Sequence, residues 1–276
     1  STRPGKEAYV EPIIEKSGYR LVVKAGKPKD TETAKNGTKL SRGANFRCLM
    51  SDTPMEPQYI KDEGKSKRIS ARLMAIVAEG NRGRVYITPS DEHEKAAGKA
   101  KPDWKPETPL ANDPRALWTP PYGLTTYGDL FTSRQLVALN TFSDLVGEAR
   151  ERIEQDAVRA GLKADGLPLR DGGRQAKAYA EAVGVYLGFG VGKCSDYNSM
   201  ICSWINGGET MRNTFGRQAI PMIWDFAEAN PIQKSTGSFL SALEQGIRVL
   251  EHGIPAIGSG YVVQMDAQNQ SLSLGK

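Results

Sequence analysis

The chain has 276 residues, room for one large domain or two ordinary ones. Its 39% hydrophobic and 25% charged residues are globular proportions, and no apolar run approaches the roughly 18 residues of a membrane span. The polar, charged start is not that of a signal peptide, and three widely spaced cysteines make no disulfide framework, so a reducing, cytoplasmic setting is expected.

The net charge of +5 is unevenly placed. Residues 1–118 carry 23 Lys and Arg against 16 Asp and Glu, whereas residues 119–276 carry 14 against 16. A basic half suits a nucleic-acid partner, because neutralising phosphates drives non-specific binding. It equally suits a solvated surface, since acids are interspersed.

The segment 8–25 predicts a hairpin: apolar runs flank Glu15-Lys-Ser-Gly18, a turn signal, and Pro12 marks an edge or a bulge. Residues 26–44 are polar and Lys-rich, an exposed loop. Cys48 has no Cys or His at zinc-knuckle spacing and reads as a half-buried thiol. Next, Arg72 to Ala78 predicts a buried strand, Glu79 to Gly83 a turn, and Arg84 to Thr88 the partner strand. Lys65, Lys67, Arg68 and Arg72 precede this hairpin, and Arg82 and Arg84 sit at its turn. A ribbon tipped with arginines fits a DNA groove; such charges also keep an exposed ribbon soluble. His93 lies in a polar helical segment without metal partners nearby. Six prolines between 102 and 121 predict an extended linker and a domain boundary.

Thr132 and Ser133 are candidate caps for a long amphipathic helix over 133–160. A second helix, about 173–204, is apolar on several sides and reads as buried. Gly184, Gly188, Gly190 and Gly192 in it predict close packing or a break near 190. Cys194 and Cys202 read as core thiols, having no adjacent base. After a loop, Ile220, Ile223, Trp224 and Ala227 predict one face of a helix that stops before Asn230-Pro231. Arg212 and Arg217 flank its start, where backbone amides favour anions. They suit either a DNA phosphate (or the core of a larger enzyme) or a local hydrogen-bond network. A last helix near 237–252, with Phe239, Leu240, Leu243, Ile247 and Leu250, leads to a short strand at Tyr261-Val-Val263 that ends in Asp266. A strand after a helix, closed by an acid, suits a doubly wound α/β sheet, which holds ligands at its strand ends; Asp266 equally suits a turn.

The stretches YGLTTYGDLFTSRQLVALNTFSDLVGEARERI, DYNSMICSW, RNTFGRQAIPMIWDFAEANP and VVQMDAQNQ closely resemble a family of large bacterial and archaeal adenine-specific DNA methylases. Members carry an N-terminal domain of unknown function and a zinc-ribbon-like insert, and the resemblance covers nearly the whole chain. It implies an internal fragment of an S-adenosylmethionine-dependent DNA adenine N6-methyltransferase. The glycine-rich cofactor motif would precede residue 1 and the Asp-Pro-Pro-Tyr catalytic motif would follow Lys276, so the resemblance implies that this chain would hold no catalytic residue and would be inactive alone. Asp266 would accept a hydrogen bond from the adenine amino group of the cofactor, with Ala267 and Gln268 offering backbone groups to the same ring edge. In the family the region of Cys48 reads as a Cys-x-x-Cys knuckle; here Ser51 stands at the second position, so no metal ligand is assigned.

The expected fold is α/β: part of a doubly wound methyltransferase sheet with long helices, plus an N-terminal ribbon-like insert. Residues 1–118 form the β-rich, basic, degenerate zinc-ribbon-like insert. Residues 119–276 form the helical region leading into the methyltransferase domain. The expected partners are double-stranded DNA, through Lys65, Lys67, Arg68, Arg82, Arg84, Arg212 and Arg217, and the remainder of the methyltransferase chain, with no membrane. The alternative is a non-catalytic nucleic-acid-binding module.

Overall fold

The computed structural model describes residues 1–253, and those residues form a mixed α/β structure of small antiparallel hairpins and helices. The first hairpin pairs β1 (Ala8–Glu15) with β2 (Gly18–Ala25) in unbroken register from Ala8↔Ala25 to Glu15↔Gly18. Pro12 causes no bulge: in a two-stranded sheet its missing N–H can face the open edge. The polar stretch expected as loop contains a short helix, α1 (Thr31–Asn36), with no buried residue. Local chemistry makes it: Asp30 Oδ1 accepts from Thr33 N at 2.9 Å, satisfying a donor the first turn leaves free.

A miniature hairpin, β3 (Phe46–Arg47) with β4 (Pro54–Met55), holds Cys48 at its turn. Helix α2 (Pro57–Lys65) follows, with proline in its first turn. Then β5 (Ile76–Gly80) pairs with β6 (Gly83–Ile87) around the two-residue turn Asn81-Arg82. The strand starts four residues later than expected. Its partner runs into Pro89, which has no N–H to extend the ladder, and Leu73 N donates instead to Glu94 Oε1 at 3.1 Å. Glu94 belongs to α3 (Asp91–Ala97), whose first turn is closed by His93: its Nδ1 accepts from Ser90 N at 3.1 Å.

The proline-rich segment lies against the core rather than apart from it. Leu110 donates its N–H to Thr125 O at 2.9 Å and is 8% exposed, in a cluster with Leu130, Ile201 and Ile220. Helix α4 (Ser133–Arg159) begins at a reciprocal cap between Thr132 and Gln135. Helix α5 (Ala176–Asp196) runs antiparallel to it: Gly184 faces the Arg150 stem, while Gly190 faces Phe239, which stacks on Phe142 at 4.7 Å. The helix is continuous through its glycines. A Cβ on Gly190 would meet Leu243 Cδ2 at 2.6 Å, so this glycine marks close approach. One face of α5 is covered and the other is open, with Tyr179, Val185, Tyr186 and Phe189 exposed, where burial on several sides was expected.

After α5 come β7 (Ser203–Ile205) and β8 (Thr210–Arg212), a third of the longer hairpins, and finally α6 (Phe239–His252), capped by Ser238. The helix expected around Ile220–Ala227 is not formed. Ile220 N donates to Ala116 O at 2.8 Å and its carbonyl accepts from Trp118 N at 3.0 Å, while Pro221 has no N–H to give a helix. Trp224 is inserted edge-on between Phe46 and Tyr122, at 4.9 and 5.1 Å. In α6, Phe239 and Leu243 pack as expected and Ala242 is buried beside them, but Leu240, Ile247 and Leu250 are exposed.

The expected doubly wound sheet is not present among the described residues. They hold four two-stranded antiparallel sheets, each between sequence neighbours, and their one parallel pairing is the single bridge Leu117↔Ile220. Parallel strands need a crossover of a dozen or more residues, and here each strand meets its neighbour first. The strand expected at 261–263 lies outside the described residues.

Backbones touch where α2 meets the turn at Pro120–Tyr122. A Cβ on Gly64 would collide with the Tyr122 carbonyl, and one on Gly123 (φ +82°) with the Gly64 carbonyl. Neither neighbour is a flexible side chain that can swing away. Gly64→Ala is therefore expected to lose about 1–2 kcal/mol, the overpacking cost exceeding the helix-propensity gain. Gly98→Ala, where a Cβ finds 3.5 Å of space, is the control. Urea midpoints report both; an unshifted Gly64→Ala midpoint would show that the two segments part without cost.

Candidate nucleic-acid interface

A broad cleft of about 3100 Å³ runs between the first hairpin, the 69–79 segment and the 122–136, 200–211 and 222–236 segments. That is several times the roughly 300–1,000 Å³ of a small-molecule pocket, a scale suited to a macromolecule. Several of its cations, however, are matched by acids. Arg72 sits 3.3 Å from Glu94 and over the Tyr19 ring, Arg84 is 3.8 Å from Glu79, and Arg134 meets Glu228 at 2.6 Å. Asp129 serves two lysines, Lys67 and Lys105, each at 3.7 Å.

Asp129 is the best-supported acid of the cleft. Its side chain is 14% exposed, and Oδ2 accepts from Thr125 N at 3.0 Å and Thr126 N at 3.1 Å. Burial alone would raise its carboxyl, but those backbone donors and Lys67 outweigh it and hold the carboxyl below its ordinary 3.8. Lys67 stands at φ +57° and its ammonium also donates to the Gly123 carbonyl, so it fastens α2 to the next segment.

The seven cations expected to meet DNA fall into two groups. Lys67, Arg68 and Arg84 are engaged within the chain, Arg68 most fully, with Nε and Nη2 on Glu63 at 2.8 and 2.7 Å. Lys65, Arg82, Arg212 and Arg217 are exposed and have no ion-pair partner among the described residues. They stand at three places: the end of α2, the β5–β6 turn and the loop after β8. Asp266, Ala267 and Gln268 lie outside the described residues.

Three groups that sequence reasoning missed position these elements. Glu209, at φ +49° and 4% exposed, accepts from Arg3 Nη1 at 3.2 Å and Tyr86 Oη at 3.1 Å, tying β6 to the turn before β8. Asp196, at the end of α5, receives Phe215 N at 3.1 Å and Asn213 Nδ2 at 2.8 Å. Asn198 donates to the carbonyls of Cys194 and Gly237, both at 2.8 Å. The polar run after an apolar helix, Asp196-Tyr-Asn-Ser199, was the available signal.

Burial pushes the Cys194 thiol up to about 11, so it is no thiolate nucleophile. His93 is occupied in its helix cap. Hydrogen bonds from Ser51 and Met50 hold the Cys48 thiol below its usual value, but no group of three His, Cys, Asp or Glu among the described residues is placed to hold a metal. No described helix is long and apolar enough to cross a membrane. No family model, no curated protein and no solved structure matches the chain.

Asp129 generates a pH prediction. A carboxyl with a lowered folded value adds stability that is present above its unfolded value and lost as pH falls through the folded one. Thermal melts between about pH 6 and pH 2 should show a shallower acid decline in Asp129→Asn than in the wild type, converging at the acid end. Parallel declines would remove Asp129 from the account.

Proposed function

We propose that this chain is a segment of an adenine-specific DNA methyltransferase and that its described residues form a DNA-contacting module of that enzyme. The reading rests on the family resemblance along nearly the whole chain. The structural observation that favours a polyanion is the set of cations without an ion-pair partner among the described residues: Arg82 at the tip of a hairpin, Arg212 at the end of another and Arg217 beyond it. In this reading S-adenosylmethionine supplies the methyl group. Asp266 accepts from the adenine amino group of that cofactor. The described residues contain no glycine-rich turn after a parallel strand, so they are assigned no cofactor contact and no chemical step. They would hold the duplex while the target adenine is turned out of the stack. The expected setting is cytoplasmic, and the remaining partner is the rest of the methyltransferase chain. Sequencing the coding region on either side separates this from a free-standing nucleic-acid-binding module: the glycine-rich and Asp-Pro-Pro-Tyr motifs are there or they are not.

Duplex DNA binding by the purified chain should weaken steeply with salt, because each phosphate contact adds about 0.9 to the slope. Arg82→Gln should flatten the slope by about one contact and Arg68→Gln by much less, since Arg68 is already engaged by Glu63. Equal slopes for wild type and Arg82→Gln would place the hairpin outside the DNA path, and no binding would end the DNA reading.

For the cofactor, the longer protein carrying both flanking motifs is the object to titrate. Losing a hydrogen bond to a charged group costs roughly 1.5–3 kcal/mol, so Asp266→Ala should weaken S-adenosylmethionine about ten- to a hundred-fold, and Asp266→Asn less. Equal dissociation constants by calorimetry would leave Asp266 as a turn residue.

A further inference from the structure

The loop Arg212-Asn-Thr-Phe-Gly-Arg217 is held from one side only. Thr214, 7% exposed, donates its N–H and its hydroxyl to the Asp196 carbonyl, each at 2.7 Å. Phe215 N and Asn213 Nδ2 donate to the two carboxylate oxygens of Asp196. The backbone is thus fastened to the end of a 21-residue helix. Phe215 itself is 66% exposed. A large ring left in water on a fastened loop forgoes the burial that normally stabilises phenylalanine, and no aromatic or cation–π pair among the described residues includes it.

Its neighbours are cationic. Arg212 and Arg217 are exposed, unpaired among the described residues, and line one shallow depression of about 10 Å³, the size of a single water. The Arg212 stem lies against Gly216, where a Cβ would stand 3.4 Å from its Cγ. Among the described residues the acid that hydrogen-bonds to the loop is Asp196, and it is already engaged by three donors, the third being Lys193 Nζ at 3.3 Å. That carboxylate is therefore partly neutralised before an anion approaches the two guanidiniums.

We propose that this loop is a single-strand clamp: Phe215 stacks on an unpaired base of DNA, and Arg212 and Arg217 take the flanking phosphates. The inference rests on the DNA reading above and assigns to it the unpaired strand that base extrusion creates. Aromatic stacking accepts any base because every base has a π-face, and planar guanidiniums match phosphate oxygens in paired hydrogen bonds. Because the loop is fastened beforehand, little ordering entropy opposes binding. A protein partner would also cover a ring, but it has no comparable reason to want two free guanidiniums beside it.

The test uses the purified chain and a fluorescein-labelled single-stranded DNA of about 16 nucleotides, the upper end of single-strand site sizes. Phe215→Ala should weaken binding about five- to 150-fold with an unchanged salt slope, since a ring releases no counterions. Phe215→Tyr should keep the affinity and Phe215→Leu should lose most of it. Arg217→Gln should lower the salt slope by about 0.7. Coincident thermal melts establish that the variants fold, as the exposure of the ring leads one to expect. Phe215→Ala or Phe215→Leu binding as tightly as wild type overturns the clamp, while a salt slope still governed by Arg82 on duplex DNA leaves the wider DNA reading standing. A wild-type chain that binds neither strand form overturns both.

Discussion

Ile220 is where the molecule is joined. Its N–H goes to Ala116, its carbonyl takes the Trp118 N–H, and its side chain is 8% exposed among Leu110, Leu130 and Ile201. Three stretches without an α-helix or a paired strand, 109–131, 198–202 and 213–227, meet there. A segment in that position has its backbone groups committed to another chain segment, so it cannot also satisfy a helical i to i−4 ladder. Losing the helix at 219–229 and gaining the core are one event. Trp224, carried past Ile220 by the same strap, then closes between Phe46 and Tyr122 and brings the miniature hairpin and α2 to the same centre.

From this joint the fold transmits position outward by polar contacts more than by apolar ones. The end of α5 is the relay. Ser199, fully buried, shares a 2.7 Å hydrogen bond with Thr214, and Asn198, 2% exposed, links Cys194 to Gly237 at the start of α6. Buried polar groups left without partners are costly, so a satisfied network of this kind admits few alternative arrangements. That is why a loop with only one small side chain inside, Thr214, is nonetheless fixed, and why its exposed residues keep a defined relation to each other.

The sequence was most informative where local rules decide. The first hairpin, the turn at Asn81-Arg82, the Thr132 cap and the limits of α4 follow from periodicity, turn residues and capping, which act over a few residues. It misled where distant segments compete for the same groups. Ile220, Ile223, Trp224 and Ala227 have helical spacing, yet Pro221 and the 116–118 segment take the backbone elsewhere. The apolar residues of α5 read as buried all round, but spacing cannot say how many neighbours arrive, and only one face received them. The prolines at 102–121 marked irregular backbone correctly; that irregular backbone builds the core was not legible, because Leu110 carries no signal of its partner 110 residues on. The aspartate and asparagine after α5 were visible as a motif, but their role as anchors depends on Asn213 and Phe215, far along the chain.

Charge shows the same distinction between inventory and availability. Counting put a cationic excess in residues 1–118 and a slight acidic excess after it. Folding redistributes what a polyanion would meet. Arg68, Arg72 and Arg84, in the basic half, spend their guanidiniums on Glu63, Glu94 and Glu79. Arg212 and Arg217, in the acidic half, have no ion-pair partner among the described residues, where the carboxylate bonded to their loop is engaged by Asn213, Phe215 and Lys193. An exposed ion pair is worth little to stability, about 0–1 kcal/mol, but it still lowers the field felt by a phosphate. Density of cations in the sequence therefore does not measure their availability to an anion: in the basic half Lys65 and Arg82 have no ion-pair partner among the described residues, whereas Arg68, Arg72 and Arg84 beside them do.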